Sequence, residues 1–376
     1  MPGCTLINRP AVPTIYPPVA QAYFFVVHVL SPAGALARPF QLAGVAVAIA
    51  TTLLLLLAAQ RRGADVRMVI AWAWCPAVAL EAANNAHVDA VAVALAAAAL
   101  VVLSRRHSAQ PAGAESASKA AATTAAGGAL LGLAIATKVT PVLLLPALVR
   151  RRPLLVVATA IGTVAAAYGP HLLTVGPDVI GYLPGYVQEE GYASGSRFGL
   201  LTLLVPERWA GLLAVVVLAA VAVAVARTTD ADRPWLGGAT MTGAALLVAT
   251  PAYAWYALLL VLLVGPGART VWLAVVAAGY LVNYATPLHV DGQLAQRVGY
   301  GLALAAVVAA VVVRPSHQFE GCWKPAVMLG SAVRAEEPLA VEVDQVCRIV
   351  GAPYLSCPRN IVEVLAHFFA VGKQET

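Results

Sequence analysis

Residues 40–59 read FQLAGVAVAIATTLLLLLAA, 20 positions without one charged side chain. A helix rises 1.5 Å per residue, so a run of that length matches the roughly 30 Å hydrocarbon core of a bilayer. The run ends on Gln60-Arg61-Arg62, cations of the kind that stop a span at the membrane surface. The pattern recurs along the chain: Met68–Ala83, Val88–Leu103, Ala120–Thr137, Pro153–Tyr168, Ala210–Ala226, Gly237–Ala249, Val271–Ala285 and Gly299–Val313. Two shorter runs, Val139–Val149 and Tyr253–Val264, need their flanks to reach across. Composition agrees, with 60% hydrophobic residues, 11% charged and a mean hydropathy of +0.80. A soluble domain carries about 25% charged residues. The expected fold is therefore all-α, a polytopic transmembrane helical bundle of about ten spans.

Charge orients the spans. Arg61, Arg62, Arg67, Arg105, Arg106, Lys119, Arg150, Arg151, Arg152, Arg227, Arg233, Arg269 and Arg314 fall in alternate loops, 13 cations on one side. The opposite loops hold five: Arg9, Arg38, Arg197, Arg208 and Arg297. The positive-inside rule places the richer set in the cytoplasm of a multi-pass plasma-membrane protein. The net charge of +6 is then loop asymmetry, and no basic–aromatic constellation argues for nucleic acid.

Three regions follow. Residues 1–35 are expected to form an outer loop and a short interfacial helix over Val19–Leu30, ended by Ser31-Pro32, with half of a re-entrant pair as the alternative. Residues 36–314 form the transmembrane part. Residues 315–376 form a cytoplasmic tail in which charge rises, apolar runs vanish and three of the five cysteines lie without metal-ligand spacing. The orientation puts Met1–Gln21 outside with no signal peptide before it, so a preceding transmembrane helix is expected to be missing from this chain.

Polar chemistry gathers at the outer face. Glu81, Asp89, Asp178, Glu189, Glu190, Glu207 and Asp291 lie there; Asp65, Glu115, Asp230 and Asp232 lie inside; the spans themselves are nearly free of charge. A transporter more often buries carboxylates near mid-membrane. The arrangement favours an enzyme acting on a lipid-borne substrate in the outer leaflet. Glu81, Asn84, Asn85, His87 and Asp89 make the densest cluster, where ionisable groups are functional candidates by default. The bland alternative is that Asn85 or Asp89 caps the next helix. In Thr137-Lys138-Val139-Thr140-Pro141 a lysine stands between two apolar half-runs. It can face a lipid phosphate and stabilise a phosphate leaving group, or it can snorkel to the interface. Tyr16-Pro17-Pro18 with Gln21 makes a third, weaker group on a stiff extended segment. In the long outer loop Gly169–Arg208, Glu189, Glu190 and Arg197 are candidates to grip sugar hydroxyls.

Together these motifs resemble glycosyltransferase family 87, membrane enzymes of the GT-C fold. Thr14-Ile15-Tyr16-Pro17-Pro18-Val19-Ala20-Gln21 resembles the end of the family's first outer loop. Asn85-Ala86-His87-Val88-Asp89-Ala90 resembles its Asn/His/Asp segment at a helix start. Lys138-Val139-Thr140-Pro141, followed by Leu143-Leu144-Leu145-Pro146, resembles its Lys-x-x-Pro half-helix. The similarity runs over roughly residues 8–314 and implies an inverting transferase at the outer face. It implies a polyprenyl-phosphate sugar donor, with mannose the leading hexose, and a lipid or glycan acceptor. Asp89 and His87 would be catalytic. Tyr16, Gln21, Asn85, Lys138, Glu189, Glu190 and Arg197 would bind substrate. One departure stands out: Met1–Thr14 contains no Asp or Glu, so the family's first-loop acid has no counterpart here.

No metal site is expected, since no histidine–carboxylate spacing builds one; a divalent ion at Asp89 is allowed but not required. Two other readings stay open on the residues: a transporter or lipid flippase, and a catalytically incomplete membrane remnant. His28, His289, Asp291 and the tryptophans Trp72, Trp74 and Trp255 take the ordinary interfacial, packing or solvated-loop reading.

Overall fold

The computed structural model describes residues 12–104, 114–285 and 287–312. The tail expected from residue 315, the first residues and the basic pair Arg105-Arg106 lie outside the described residues. Among the described residues every regular element is helical, so the all-α membrane fold holds.

Among the described residues a 12-residue helix, α1 (Pro18–Val29), comes first. It starts on the Pro17-Pro18 pair, because a proline at the first helical turn loses no hydrogen bond. The decisive stretch becomes α2 (Arg38–Arg62), 25 residues ending on its two arginines, where cations meet the negative end of the helix dipole. After α3 (Asp89–Leu103) come α4 (Ala114–Ile135) and α5 (Pro153–Val175). Gly128 and Gly132 on α4 bring its backbone onto α5, and a Cβ at either position would strike Thr159 or Ala160. Small residues four apart allow such an approach in membrane bundles. The chain continues through α6 (Leu183–Glu189), α7 (Glu207–Thr228), α8 (Pro234–Ala249), α9 (Leu258–Val264), α10 (Leu273–Ala285) and α11 (Gly292–Val312).

By length and composition alone, four helical stretches can cross a membrane: Arg38–Arg62, Pro153–Glu189, Glu207–Thr228 and Gly292–Val312. A fifth is the bent pair Val66–Ala73 and Val78–Asn84. The other short apolar helices are 10–17 residues each, so helix length by itself accounts for four or five of the ten expected crossings. Several of these short helices form the interior of the bundle. All seven residues of α9 are buried, among them Leu260, Leu262 and Leu263, and α3 packs Ala90, Val93, Ala96 and Leu100 into the same core.

The structure differs from expectation at three windows. Met68–Ala83 is not one helix: it breaks at Trp74-Cys75-Pro76, bends by 59° and resumes as a π-helical segment over Val78–Asn84. Pro76 explains the break, since its ring blocks continuation of the preceding turn. Val139–Val149 resolves into a 3-10 turn, Thr140–Leu144, and a four-residue helix, Leu145–Leu148. The outer loop Gly169–Arg208 is largely structured: α5 runs on to Val175, through Pro170, and α6 follows a 3-10 turn at Gly176–Ile180.

Candidate active site

The π-helical segment carries the centre of the site. Its wider winding leaves Asn85 N–H bonded to the carbonyl of Leu80, five residues back, and His87 N–H bonded to that of Glu81. Ala86, between them, sits at φ +53°, a conformation uncommon for a residue with a side chain. π turns and such strained positions concentrate at functional sites. The segment is pressed against α2 where Gly44 faces the Ala82 carbonyl, with no room for a Cβ. Gln41 also donates to the Asn84 carbonyl at 2.8 Å.

This winding turns Glu81, only 3% exposed, into the protein. Its Oε1 accepts from the Tyr280 hydroxyl at 2.8 Å, and its Oε2 accepts from Asn85 Nδ2 at 3.0 Å. The Nε2 of His87 faces the same Oε2 at 3.4 Å. A buried carboxylate so furnished has partners for its charge. The other face of the His87 ring stacks on Trp255, centroids 4.1 Å apart, and Trp255 stacks in turn on Tyr253 at 4.6 Å. The His87 side chain keeps 24% of its surface exposed. Burial holds its pKa below the ordinary imidazole value; the charges of Asp89 and Glu81 pull it up, and Lys138 pushes it down.

Asp89 opens α3 but does not cap it: the N-cap is Val88, without a side-chain hydrogen bond. Asn85 does not cap it either, being bonded to Glu81. Asp89 instead accepts from Lys138 Nζ at 3.1 Å, a pair with the carboxylate 6% and the lysine 19% exposed. Lys138 therefore does not snorkel away from the cluster. Its ammonium lies 5.5 Å from the ring centres of both Tyr16 and Tyr256, within cation–π range. Tyr16 is held for this contact: Gln21 Nε2 donates to its carbonyl at 2.8 Å, and Val19 N–H bonds to the Ala136 carbonyl just before Lys138. Gln21 thus braces Tyr16.

The Tyr256 hydroxyl bonds to that of Tyr186 on α6, linking this cluster to the long loop. There Arg197, 7% exposed, pairs with Glu190 through Nη1 and lies 5.4 Å over the Tyr192 ring. Its backbone carbonyl is fixed by the Thr250 hydroxyl at 2.7 Å and by Gln296 Nε2 at 3.3 Å. Two buried donors of its guanidinium, Nε and Nη2, have no hydrogen-bond partner among the described residues. Buried donors without partners are rare, and a cation holding two of them is fitted for an anion. Glu189 takes the Tyr182 hydroxyl at the exposed end of α6.

Of the residues expected from sequence, Tyr16, Gln21, Asn85, His87, Asp89 and Lys138 meet in one network. Glu190 and Arg197 join it through the Tyr186–Tyr256 pair, while Glu189 stands at its edge. Sequence reading underweighted Glu81, whose charge inside an apolar run is the signal for it, and read Trp255 as packing. Tyr186, Tyr256 and Tyr280 carried no signal. Asp291 does what a solvated loop acid does, accepting from Leu294 N–H at 2.7 Å to start α11. Among the described residues no three His, Cys, Asp or Glu side chains are grouped to hold a metal.

The family model of glycosyltransferase family 87 matches residues 14–251, a narrower span than the 8–314 expected. No curated protein and no solved structure matches the chain. The matched span takes in Tyr16, Glu81, His87, Asp89, Lys138 and Arg197, and it covers more than half of the 376 residues. With these residues drawn into one network at the ends of apolar helices, the chain belongs to glycosyltransferase family 87 and is a membrane glycosyltransferase.

Proposed function

We propose that the protein transfers a hexose, mannose first among candidates, from a polyprenyl phosphate to a lipid or glycan acceptor. The reaction takes place at the outer face of the plasma membrane, where the positive-inside rule puts the Glu81–Asp89 cluster. The observation that carries this is the presence, in one network, of a partly exposed imidazole whose pKa burial holds low and a buried guanidinium with two donors unpartnered among the described residues. One suits an acceptor hydroxyl, the other a departing phosphate.

In this mechanism His87 is the base. Its Nε2–H turns to Glu81, leaving the Nδ1 lone pair to take the acceptor proton as the oxygen attacks the anomeric carbon. Glu81 positions the ring and stabilises the imidazolium that forms, while Tyr280 and Asn85 hold Glu81. The bond from the anomeric carbon to the phosphate oxygen breaks, and polyprenyl phosphate leaves with the electron pair. Arg197 Nε and Nη2 receive its oxygens. Attack opposite the leaving group inverts the anomeric centre. Asp89 is engaged by Lys138, so it shapes the site and holds that cation against Tyr16 and Tyr256. Membership of the family sides with the transferase over the transporter reading.

The test is transfer by the full chain in nanodiscs, given a radiolabelled mannosyl polyprenyl phosphate and membrane lipid-linked glycans as acceptors. Wild type should transfer label, and His87→Ala should lose about 10²–10⁴-fold in rate. Transfer from a nucleotide sugar but never from the polyprenyl phosphate would reject the donor. An unimpaired His87→Ala would reject the base.

A further inference from the structure

At the far ends of α2 and α3 from the Glu81–Asp89 cluster lies a cavity of about 190 Å³. Its floor is apolar and buried, formed by Leu55, Ala97, Leu100 and Leu262. Its rim is polar and exposed, with Arg62, the last residue of α2, and Asp65 just beyond it. The guanidinium of Arg62 is held in place: it lies 4.8 Å over the Trp235 ring and donates to the Ser104 hydroxyl. Asp65 is already in use, its Oδ1 accepting from Arg67 N–H at 2.9 Å. Arg61 and Arg67 flank the rim in sequence, while the second nearby carboxylate, Asp232, whose charge reaches Arg62, is paired with Arg151 at 3.1 Å.

An apolar floor under a fixed guanidinium fits an amphiphile with an alkyl chain and a phosphate. A guanidinium has five donors in a planar fork suited to phosphate, and stacking on an aromatic ring keeps that fork oriented. With Asp65 engaged by Arg67 N–H and Asp232 by Arg151, the free donors of Arg62 favour net negative charge in the headgroup. We propose that this cavity binds one anionic glycerophospholipid of the inner leaflet, an acyl chain on Leu55 and Leu262 and the phosphate on Arg62. The site rests on the membrane orientation given above. It does not depend on the sugar-transfer reading.

The experiment counts lipids retained by the full-length protein, without sugar substrate, so its outcome is independent of any transfer assay. Protein is released from nanodiscs of equal phosphatidylglycerol and phosphatidylcholine and weighed by native mass spectrometry. Wild type should retain one phosphatidylglycerol per chain, at about fivefold preference or more. Ala59→Phe, which fills the cavity from α2, should abolish retention with the melting temperature unchanged. Arg62→Gln should keep a bound lipid but bring the two headgroups to parity. If Ala59→Phe does not fold, Ala64→Trp at the exposed rim makes the same test. Equal retention of both lipids by wild type, or full phosphatidylglycerol retention by the cavity-filling variant, would overturn the proposal.

Discussion

Lys138 Nζ stands 3.1 Å from Asp89 Oδ2, joining the start of α3 to the residue that follows the turn after α4, 49 positions later in the chain. Neither partner has a second opposite charge among its described contacts, so the pair is a unit. Removing one member strands the other in a poorly solvated site, which costs about 3–5 kcal/mol. Asp89→Asn or Lys138→Met should each lower the thermal unfolding midpoint in detergent. The double substitution should recover most of that loss, because no charge is left unpaired. Additive losses in the double variant would show that the two side chains act independently. Transfer activity should stay low in all three, as the lysine no longer sits against Tyr16 and Tyr256.

His87 sets a pH dependence. Burial favours its neutral form, so its folded pKa lies below the unfolded value of about 6.5. The unfolded chain then binds the extra proton first as pH falls. Stability from this group is complete above the unfolded pKa and is lost as pH drops toward the folded one. Activity requiring the neutral ring should fall on an acid limb with its midpoint below 6.5. Glu81→Gln removes a charge that raises the His87 pKa and should move the midpoint lower still. A kcat/KM profile for both proteins decides the matter; a midpoint that rises in Glu81→Gln would contradict it.

Arg197 has a sharper signature. Lysine in its place keeps the charge but cannot present two further oriented donors. Arg197→Lys should raise KM for the lipid-phosphate donor by about 10–100-fold, the worth of one charged hydrogen bond. KM for the acceptor should move much less. Titrating each substrate at saturating levels of the other separates the two, and a change confined to the acceptor would place Arg197 elsewhere in the reaction.

Gly44 tests the π-helical segment without touching a reacting group. A methyl there must displace the Ala82 carbonyl, an overpacking that costs about 1–3 kcal/mol. Gly44→Ala should keep its helical circular dichroism, melt earlier and lose activity, because Glu81 moves with Ala82. Gly162→Ala, where a Cβ meets open space, is the control and should leave both unchanged.

The long apolar helices were legible because hydrophobic length is a local property: Phe40–Ala59 lies wholly inside α2. Helix breaks were visible but outweighed. Pro76 stood in the window Met68–Ala83, yet average hydropathy does not register one missing N–H. Distant pairings were not legible. Glu81 meets Tyr280 across 199 residues, and nothing near Tyr280 marks it as more than another aromatic in an apolar run. His87 and Asp89 were nominated by type and neighbourhood, and only the structure sets them apart, with Lys138 closing on Asp89 and Trp255 on His87. Residue chemistry can nominate a site; the contacts that distinguish its members are tertiary.

The seven buried residues of α9 carry a consequence for biogenesis. At 1.5 Å per residue the segment is about 10 Å long, a third of the hydrocarbon thickness, so it cannot integrate into the bilayer as an independent span. Its leucines and valines must wait for partners on α3, α8 and α10 before they leave the insertion machinery for good. Synthesis must therefore reach α10 before the walls around α9 are complete. A chain arrested before α10 emerges would lack the wall against which the turn Ala254–Ala257, with Trp255 and Tyr256, packs. The geometry around Trp255 and Tyr256 is therefore complete only once α10 has been made.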